Sequence, residues 1–286
     1  MGVLLREAGE VDWVFPLEST YLSQLFTGLD SLTSTFAGWL RHCDLAFGWI
    51  PDTDGVVGKT LHAAGVERSY LKSASSTDLL TAHQSVRYLE AIQVRGVEPV
   101  ASSSLLLSSA IREQGKRILH GLNGDSLAQP VVIHPGSGSA RKCLEARRLV
   151  PVIEWLSQSG TAPLLLEGPA DREAVEQVVA GLKIGVPVIR GLDVMVVAGV
   201  LSHAKLYLGH DSGVTHLAAA LSIPTIACFG PTSSCRWAPV GRTVSILSGA
   251  PCVCPTWSSV AACGEQVCLQ IAPERIIEAC RLLLVK

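Results

Sequence analysis

Apolar runs of strand length recur along the second half of the chain: VVIHP (131–135), PLLLE (163–167), VPVIR (186–190), KLYLG (205–209), TIACFG (225–230) and VSILSG (244–249). Between the first five lie stretches of helical period: CLEARRLVPVIEWLSQ, DREAVEQVVAGL, LDVMVVAGVLSHA and GVTHLAAAL. A strand that is apolar on both faces has no side to give to water, and a strand followed by a helix returns parallel to its neighbour. The pattern predicts a parallel sheet covered by helices on both faces, a doubly wound domain of the nucleotide-binding type. PERIIEACRLLL (273–284), opened by Pro273, predicts a closing amphipathic helix.

The first half is less regular. VDWVFPL (11–17), CDLAFGW (43–49) and RSYLK (68–72) read as strands, with helices near 20–28, 55–64 and 78–95. NGDSLAQP (123–130) has the composition of an interdomain connection. Two domains are therefore expected, 1–125 and 126–286.

Composition fits that division. A chain of 286 residues with 48% hydrophobic and 17% charged side chains can fill two cores. Its longest plainly apolar stretch, Val194 to Leu201, is far below the ~18 residues a membrane span needs. Glu7, Glu10 and Asp12 interrupt the start where a signal peptide would be apolar, so a soluble, cytoplasmic chain is expected. A net charge of −2 argues against a broad nucleic-acid surface. Nine cysteines without a secretion signal are expected to be reduced thiols.

Two Gly-rich turns follow predicted strands. HPGSGSARK (134–142) offers Gly136-x-Gly138, but Arg141 stands where a dinucleotide fingerprint has its third glycine, which rules out the nicotinamide reading. What is left is a Gly/Ser turn with free backbone N–H groups and Lys142 a few residues on. Such a turn suits a phosphate, and equally reads as an ordinary strand-to-helix loop with a solvated lysine. In GHDSGVTH (209–216), Asp211 or Ser212 can cap the next helix, and Gly213 permits close backbone approach. The first N–H groups of that helix lack internal partners and its dipole is positive there, so a diphosphate would satisfy both. Asp211 would repel phosphate and is expected to accept hydroxyls from a sugar beside it. His216, one turn in, reads on its own as a packed helix histidine.

Two other features carry less. GVVGKT (55–60) resembles the tail of a P-loop, but Thr53 occupies the position of its first glycine. Cys252, Cys254, Cys263 and Cys268 cluster, yet Cys-x-Cys is tighter than the usual zinc-knuckle spacing. Reduced thiols without a metal are expected there.

HPGSGSARKC, LLLEGPADRE, LSHAKLYLGHDSGVTHLAAALSIPTIACFGPT and RWAPVG resemble glycosyltransferase family 9, the ADP-heptose:lipopolysaccharide heptosyltransferases. AHQSVRYLEAI (82–92), the cysteine-rich segment and PERIIEACRLLL extend the resemblance over nearly the whole chain. It implies a GT-B architecture of two Rossmann-like domains, the C-terminal one for an ADP-heptose-like donor and the N-terminal one for a lipopolysaccharide-core acceptor at the inner-membrane surface. It also implies inverting transfer without a cofactor. Donor contacts carry over to Ser137, Gly138 and Lys142 near the diphosphate, with Lys142 stabilising the leaving group. They carry over as well to Asp211, Ser212, Gly213, Val214 and His216 at the second turn, and to Asp171 as an acidic ribose contact.

The family's opening strand and Gly-Asp turn, whose Asp is thought to be the general base, have no counterpart before VDWVFPL. The N-terminal domain is therefore expected to be incomplete and the chain as written deficient in activity. The rival expectations are a non-catalytic nucleotide-sugar-binding relic and a sugar-nucleotide epimerase of the same architecture. The second would need an acid/base pair that the residues do not single out.

Overall fold

The structure is a computed structural model that describes residues 2–16, 19–73, 82–91 and 104–285. Its elements in chain order begin with α1 (Gly2–Glu7), α2 (Thr20–Thr27), α3 (Ser34–Leu40), β1 (Leu45–Gly48), α4 (Val56–Ala63), β2 (Arg68–Leu71) and α5 (Gln84–Ala91). They continue with α6 (Ser109–Asn123), β3 (Val131–Ile133), α7 (Ala146–Gln158), β4 (Pro163–Glu167), α8 (Arg172–Gly181), β5 (Val188–Arg190) and α9 (Val194–Leu201). Last come β6 (Leu206–His210), α10 (Gly213–Ala220), β7 (Thr225–Phe229), α11 (Ser234–Trp237), β8 (Val244–Ser248), α12 (Trp257–Ala262) and α13 (Pro273–Leu284). Two compact units result: Trp13–Val100, and Met1–Asp12 together with Ala101–Lys286. The division thus falls well before the expected boundary at 125/126.

In the smaller unit β1 and β2 pair in parallel, Leu45 opposite Arg68. Leu25, Leu40, Val57, Leu61, Ala64 and Val66 form its core. The expected strand at 11–17 is not formed in its described residues, 11–16, which carry no regular structure. The expected helix at 78–95 is seen as α5; residues 82 and 83 are outside the helix, and 78–81 and 92–95 lie outside the described residues. The P-loop-like residues form α4 itself. Asp52 caps that helix, accepting the N–H of Val57 at 3.0 Å and that of Gly58 at 2.9 Å, so a carboxylate already holds the place a phosphate would take.

The larger unit carries a six-stranded parallel sheet in the order β5-β4-β3-β6-β7-β8. Numbered within the unit, this is 3-2-1-4-5-6, the strand order of dinucleotide-binding sheets. Side chains alternate across it as the two-residue repeat of a strand requires. Val131 and Ile133 face a core shared with α7, α8 and α13 through Leu149, Ile153, Val178 and Ile276. Val132 faces the other core, shared with α9 and α10 through Val197, Leu201 and Leu217. Each fully buried aliphatic side chain there stabilises the fold by ~1.5–3 kcal/mol relative to exposure. β3 and β6 lie side by side at the centre, Val131 opposite Leu206 and Ile133 opposite Leu208. All six strands expected in this half are present, each within three residues of its expected bounds.

α6 was not expected from the sequence. It packs on α9 through facing glycines: a Cβ on Gly115 would overlap the backbone of Gly199, and one on Gly199 would overlap the carbonyl of Ile111. That contact carries the segment before β3 into the larger unit. Among the described residues no helix is long and apolar enough to cross a membrane.

Candidate functional site

Ligands of doubly wound sheets lie beyond the carboxyl ends of the strands, where the strand order reverses. Here that point lies between β3 and β6, and both Gly-rich turns leave the sheet at it. The chain exits β3 through His134-Pro135-Gly136 and β6 through His210-Asp211-Ser212. Three sets of contacts join the two turns. Ser137 Oγ donates to the Asp211 carbonyl at 2.7 Å. Lys142 Nζ lies 2.7 Å from Asp211 Oδ2. His210, buried at the end of β6, donates Nδ1–H to the Gly136 carbonyl at 3.3 Å and accepts the Leu144 N–H on Nε2 at 2.9 Å. That pairing fixes the neutral tautomer. Burial, then the nearby His134 charge, pushes the His210 pKa down to about 4.

Ser212 is the N-cap of α10. Its hydroxyl accepts the N–H of Thr215 at 3.4 Å. The N–H groups of Gly213 and Val214 have no acceptor among the described residues, as the first turn of a helix dictates. No atom lies within 4 Å of where a Cβ would stand on Gly138 or Gly213, so both turns present open backbone. Between them lies a cleft of about 340 Å³. Ser137, Gly138, Ser212 and Gly213 form its polar side, and Pro169, Ala170, Val194 and Leu217 its apolar side.

Beneath the cleft runs a buried polar chain that sequence reasoning did not assign. His134 Nε2 lies 2.7 Å from Asp171 Oδ2, with both side chains almost wholly buried. The same carboxylate oxygen accepts the Gly168 N–H at 2.9 Å. Burial alone would raise the Asp171 pKa. The hydrogen bond and charge of His134, with the Gly168 N–H, outweigh it and hold the carboxyl below its usual range. Two glycines make room for this carboxylate: a Cβ on Gly168 would stand 2.5 Å from Oδ2, and one on Gly136 would overlap Oδ1. On its other nitrogen, His134 Nδ1 meets the Tyr207 hydroxyl at 3.2 Å and the Ser212 hydroxyl at 3.5 Å. Thr215 Oγ1 lies 3.1 Å from the Tyr207 hydroxyl and 3.0 Å from that of Ser212, and donates its own proton to the His210 carbonyl. The legible signal was a histidine directly after an apolar run, in VVIHP and again in YLGHD.

The structure brings most of the sequence-singled residues together. Ser137, Gly138, Asp171, Ser212, Gly213 and Val214 line the cleft, with the Lys142–Asp211 pair beside it. Asp211 makes an ion pair rather than standing free for a sugar, and Asp171 Oδ2 is already engaged by His134. His216 lines a different cavity of about 310 Å³, with Leu5, Glu10 and Leu105. Arg141 donates to the Cys263 carbonyl at 3.0 Å, which fastens the first turn to the cysteine-rich segment. Among the described residues no group of three or more His, Cys, Asp or Glu side chains is arranged to hold a metal ion.

The sheet order and the paired turns define a Rossmann-type α/β protein with a polar cleft at its switch point. Residues 98–257 match the model of glycosyltransferase family 9 (heptosyltransferase), and the chain belongs to that family. Lipopolysaccharide heptosyltransferase 3 of Escherichia coli is 31% identical over 115 residues, a match covering 38% of this chain and 33% of that protein. This chain thus matches about a third of the length of that curated relative. Two solved structures share the fold at 18% identity, each over 99% of this chain and 86% of its own. They are a family 9 glycosyltransferase from Veillonella parvula, TM-score 0.74, and the E. coli ADP-heptose lipopolysaccharide heptosyltransferase II, TM-score 0.72.

Proposed function

We propose that this chain binds an ADP-heptose-like nucleotide sugar in the switch-point cleft and transfers the sugar, with inversion, to a lipopolysaccharide-core acceptor. The observation that carries the reading is that Gly213 and Val214, whose N–H groups have no acceptor among the described residues, line the cleft, with the Lys142–Asp211 ion pair joining the two turns beside it. Amides at a helix start and an ammonium are the groups that replace the water around a diphosphate. The apolar wall of Pro169, Ala170, Val194 and Leu217 suits the face of a base or a sugar ring. The names of the relatives, which specify ADP-heptose and lipopolysaccharide, support the choice of donor and acceptor.

In the proposed reaction an acceptor hydroxyl attacks the anomeric carbon as the bond from that carbon to the diphosphate oxygen breaks, and the acceptor proton passes to a base. Negative charge builds on the departing diphosphate. Lys142, with the amides at 212–214, stabilises it in this reading, and the ion pair with Asp211 holds the ammonium until the donor arrives. Ser137 and Gly138 contact the diphosphate from the first turn.

Calorimetry with ADP tests the donor reading. ADP binds and NAD does not in the expected result; equal affinity for NAD overturns the assignment. An assay of sugar transfer beside it separates a transferase from a protein that only binds donor.

A further inference from the structure

The cysteine-rich segment is fastened to the first Gly-rich turn at two points. Arg141 donates to the Cys263 carbonyl at 3.0 Å, and the Trp257 ring centre stands 6.0 Å from Lys142 Nζ, the outer range of a cation–π contact. Trp257, half exposed, opens α12, which Thr256 caps. That helix is the middle of a loop whose two ends are cysteines, Cys254 and Cys263. The Cys254 thiol touches those of Cys263 and Cys252, and the Cys252 thiol touches that of Cys268. Cys254 and Cys263 are both half-buried, whereas Cys268 is buried and Cys252 packs against the core. The loop is thus closed at its base by contact between two accessible sulfurs, and it carries an aromatic ring to Lys142. The two thiols also differ in readiness to react. The Gln266 N–H, above all, holds Cys263 below its usual pKa, whereas desolvation, then Cys252 and Cys263, push Cys254 up to about 11.

We propose that Cys254 and Cys263 form a reversible disulfide that closes the loop around α12 and fixes Trp257 over Lys142, so that oxidation tightens the hold of the cleft on a diphosphate. The proposal rests on the donor reading above and adds a control that the reading does not contain. The oxidant is a low-molecular-weight disulfide, RSSR. The Cys263 thiolate attacks one of its sulfurs, forming the mixed disulfide at Cys263 and expelling RS⁻. Cys254, losing its proton to solvent, then attacks Cys263 Sγ and expels the second RS⁻. Both leaving groups take up protons, so two protein thiols and one RSSR become one protein disulfide and two RSH. The protein loses two electrons and the small disulfide gains them. Closing the loop removes freedom that the open loop gives up when a ligand settles beside Lys142 and Trp257, and preorganisation of that kind is read as affinity.

The test treats the intact chain with excess oxidised glutathione near neutral pH, blocks the remaining thiols and maps the linkages by mass spectrometry. The expected product is a Cys254–Cys263 disulfide that dithiothreitol reverses. Calorimetry is expected to give ADP an affinity about fivefold higher for this form than for the reduced chain, the gain from ordering one large side chain beforehand. Cys263→Ser is expected to bind ADP as the reduced chain does, with or without the oxidant. Trp257→Ala is expected to form the disulfide and to show no gain. A different linkage, no linkage, or zinc or iron held one per chain by these cysteines overturns the proposal, as does a gain that survives in either variant. A Cys254–Cys263 disulfide with ADP affinity unchanged overturns it and leaves the donor reading intact. A chain that binds ADP in neither state overturns both.

Discussion

Lys142 Nζ lies 2.7 Å from Asp211 Oδ2, and this pair joins the turn after β3 to the turn after β6. A single substitution therefore acts on both turns. Lys142→Ala removes the ammonium and leaves a mostly buried carboxylate beside the proposed diphosphate. Turnover in transfer from ADP-heptose is expected to fall by about 10²-fold, with ADP affinity falling less than about tenfold. Steady-state kinetics beside calorimetry reads the two separately. A loss of affinity with turnover unchanged would make Lys142 a residue of ground-state binding alone.

Gly136 is required by its neighbour rather than by its own backbone angles. Because a Cβ there would overlap Asp171 Oδ1, Gly136→Ala must displace the carboxylate that His134 and the Gly168 N–H hold. A loss of about 1–3 kcal/mol is expected, the usual effect of overpacking a tight interior. Urea unfolding measures it. Gly138→Ala, whose Cβ would meet open space, serves as the neutral comparison.

His210 makes stability depend on pH. Its pKa in the folded chain, about 4, lies below the ordinary value, so between the two an unfolded chain takes up a proton that the folded chain refuses. Stability is expected to be fully present above about pH 6.5 and to decline as pH falls toward 4, by roughly 3 kcal/mol in all. Denaturation midpoints at several pH values should show this slope. His210→Gln can still accept the Leu144 N–H and does not titrate, so it should flatten that part of the curve.

The cysteines are expected to differ sharply in reactivity. The Cys263 thiol is held below its usual pKa, chiefly by the Gln266 N–H, whereas burial pushes Cys228 and Cys280 up to about 12. The thiolate is the form that reacts. Brief treatment with iodoacetamide near neutral pH, read by mass spectrometry, should label Cys263 well before Cys228 or Cys280. Labelling at comparable rates would contradict the arrangement.

The larger unit was legible because its strands are buried on both faces. VVI, PLLLE and TIACF can only be central strands, and their lengths and spacing fix the helices between them. The two turns were legible for the same reason, since Gly/Ser and Asp-Ser-Gly each interrupt an apolar run at a strand end. The partners under the cleft were not. Nothing local to Asp171 announces His134, which stands 37 residues away, or distinguishes a carboxylate turned inward from one turned to a ribose. α6 escaped notice because its low apolar content hides a surface defined by Gly115, a residue that lowers helix propensity and here permits contact. In the smaller unit β1 and β2 are half exposed, so their pattern is weak.

The glycine-to-glycine crossing of α6 and α9 has a bearing on how such a chain can be divided. A fragment begun at 126, where composition places the joint, would leave behind the helix that covers Gly199 and expose the backbone of α9 to water. A cut at about residue 104 keeps the crossing and should yield the better-behaved fragment. The same holds for recombination between relatives: a seam upstream of α6 keeps both faces of the crossing from one parent, whereas a seam inside 109–123 pairs two helix faces that have never been fitted to each other.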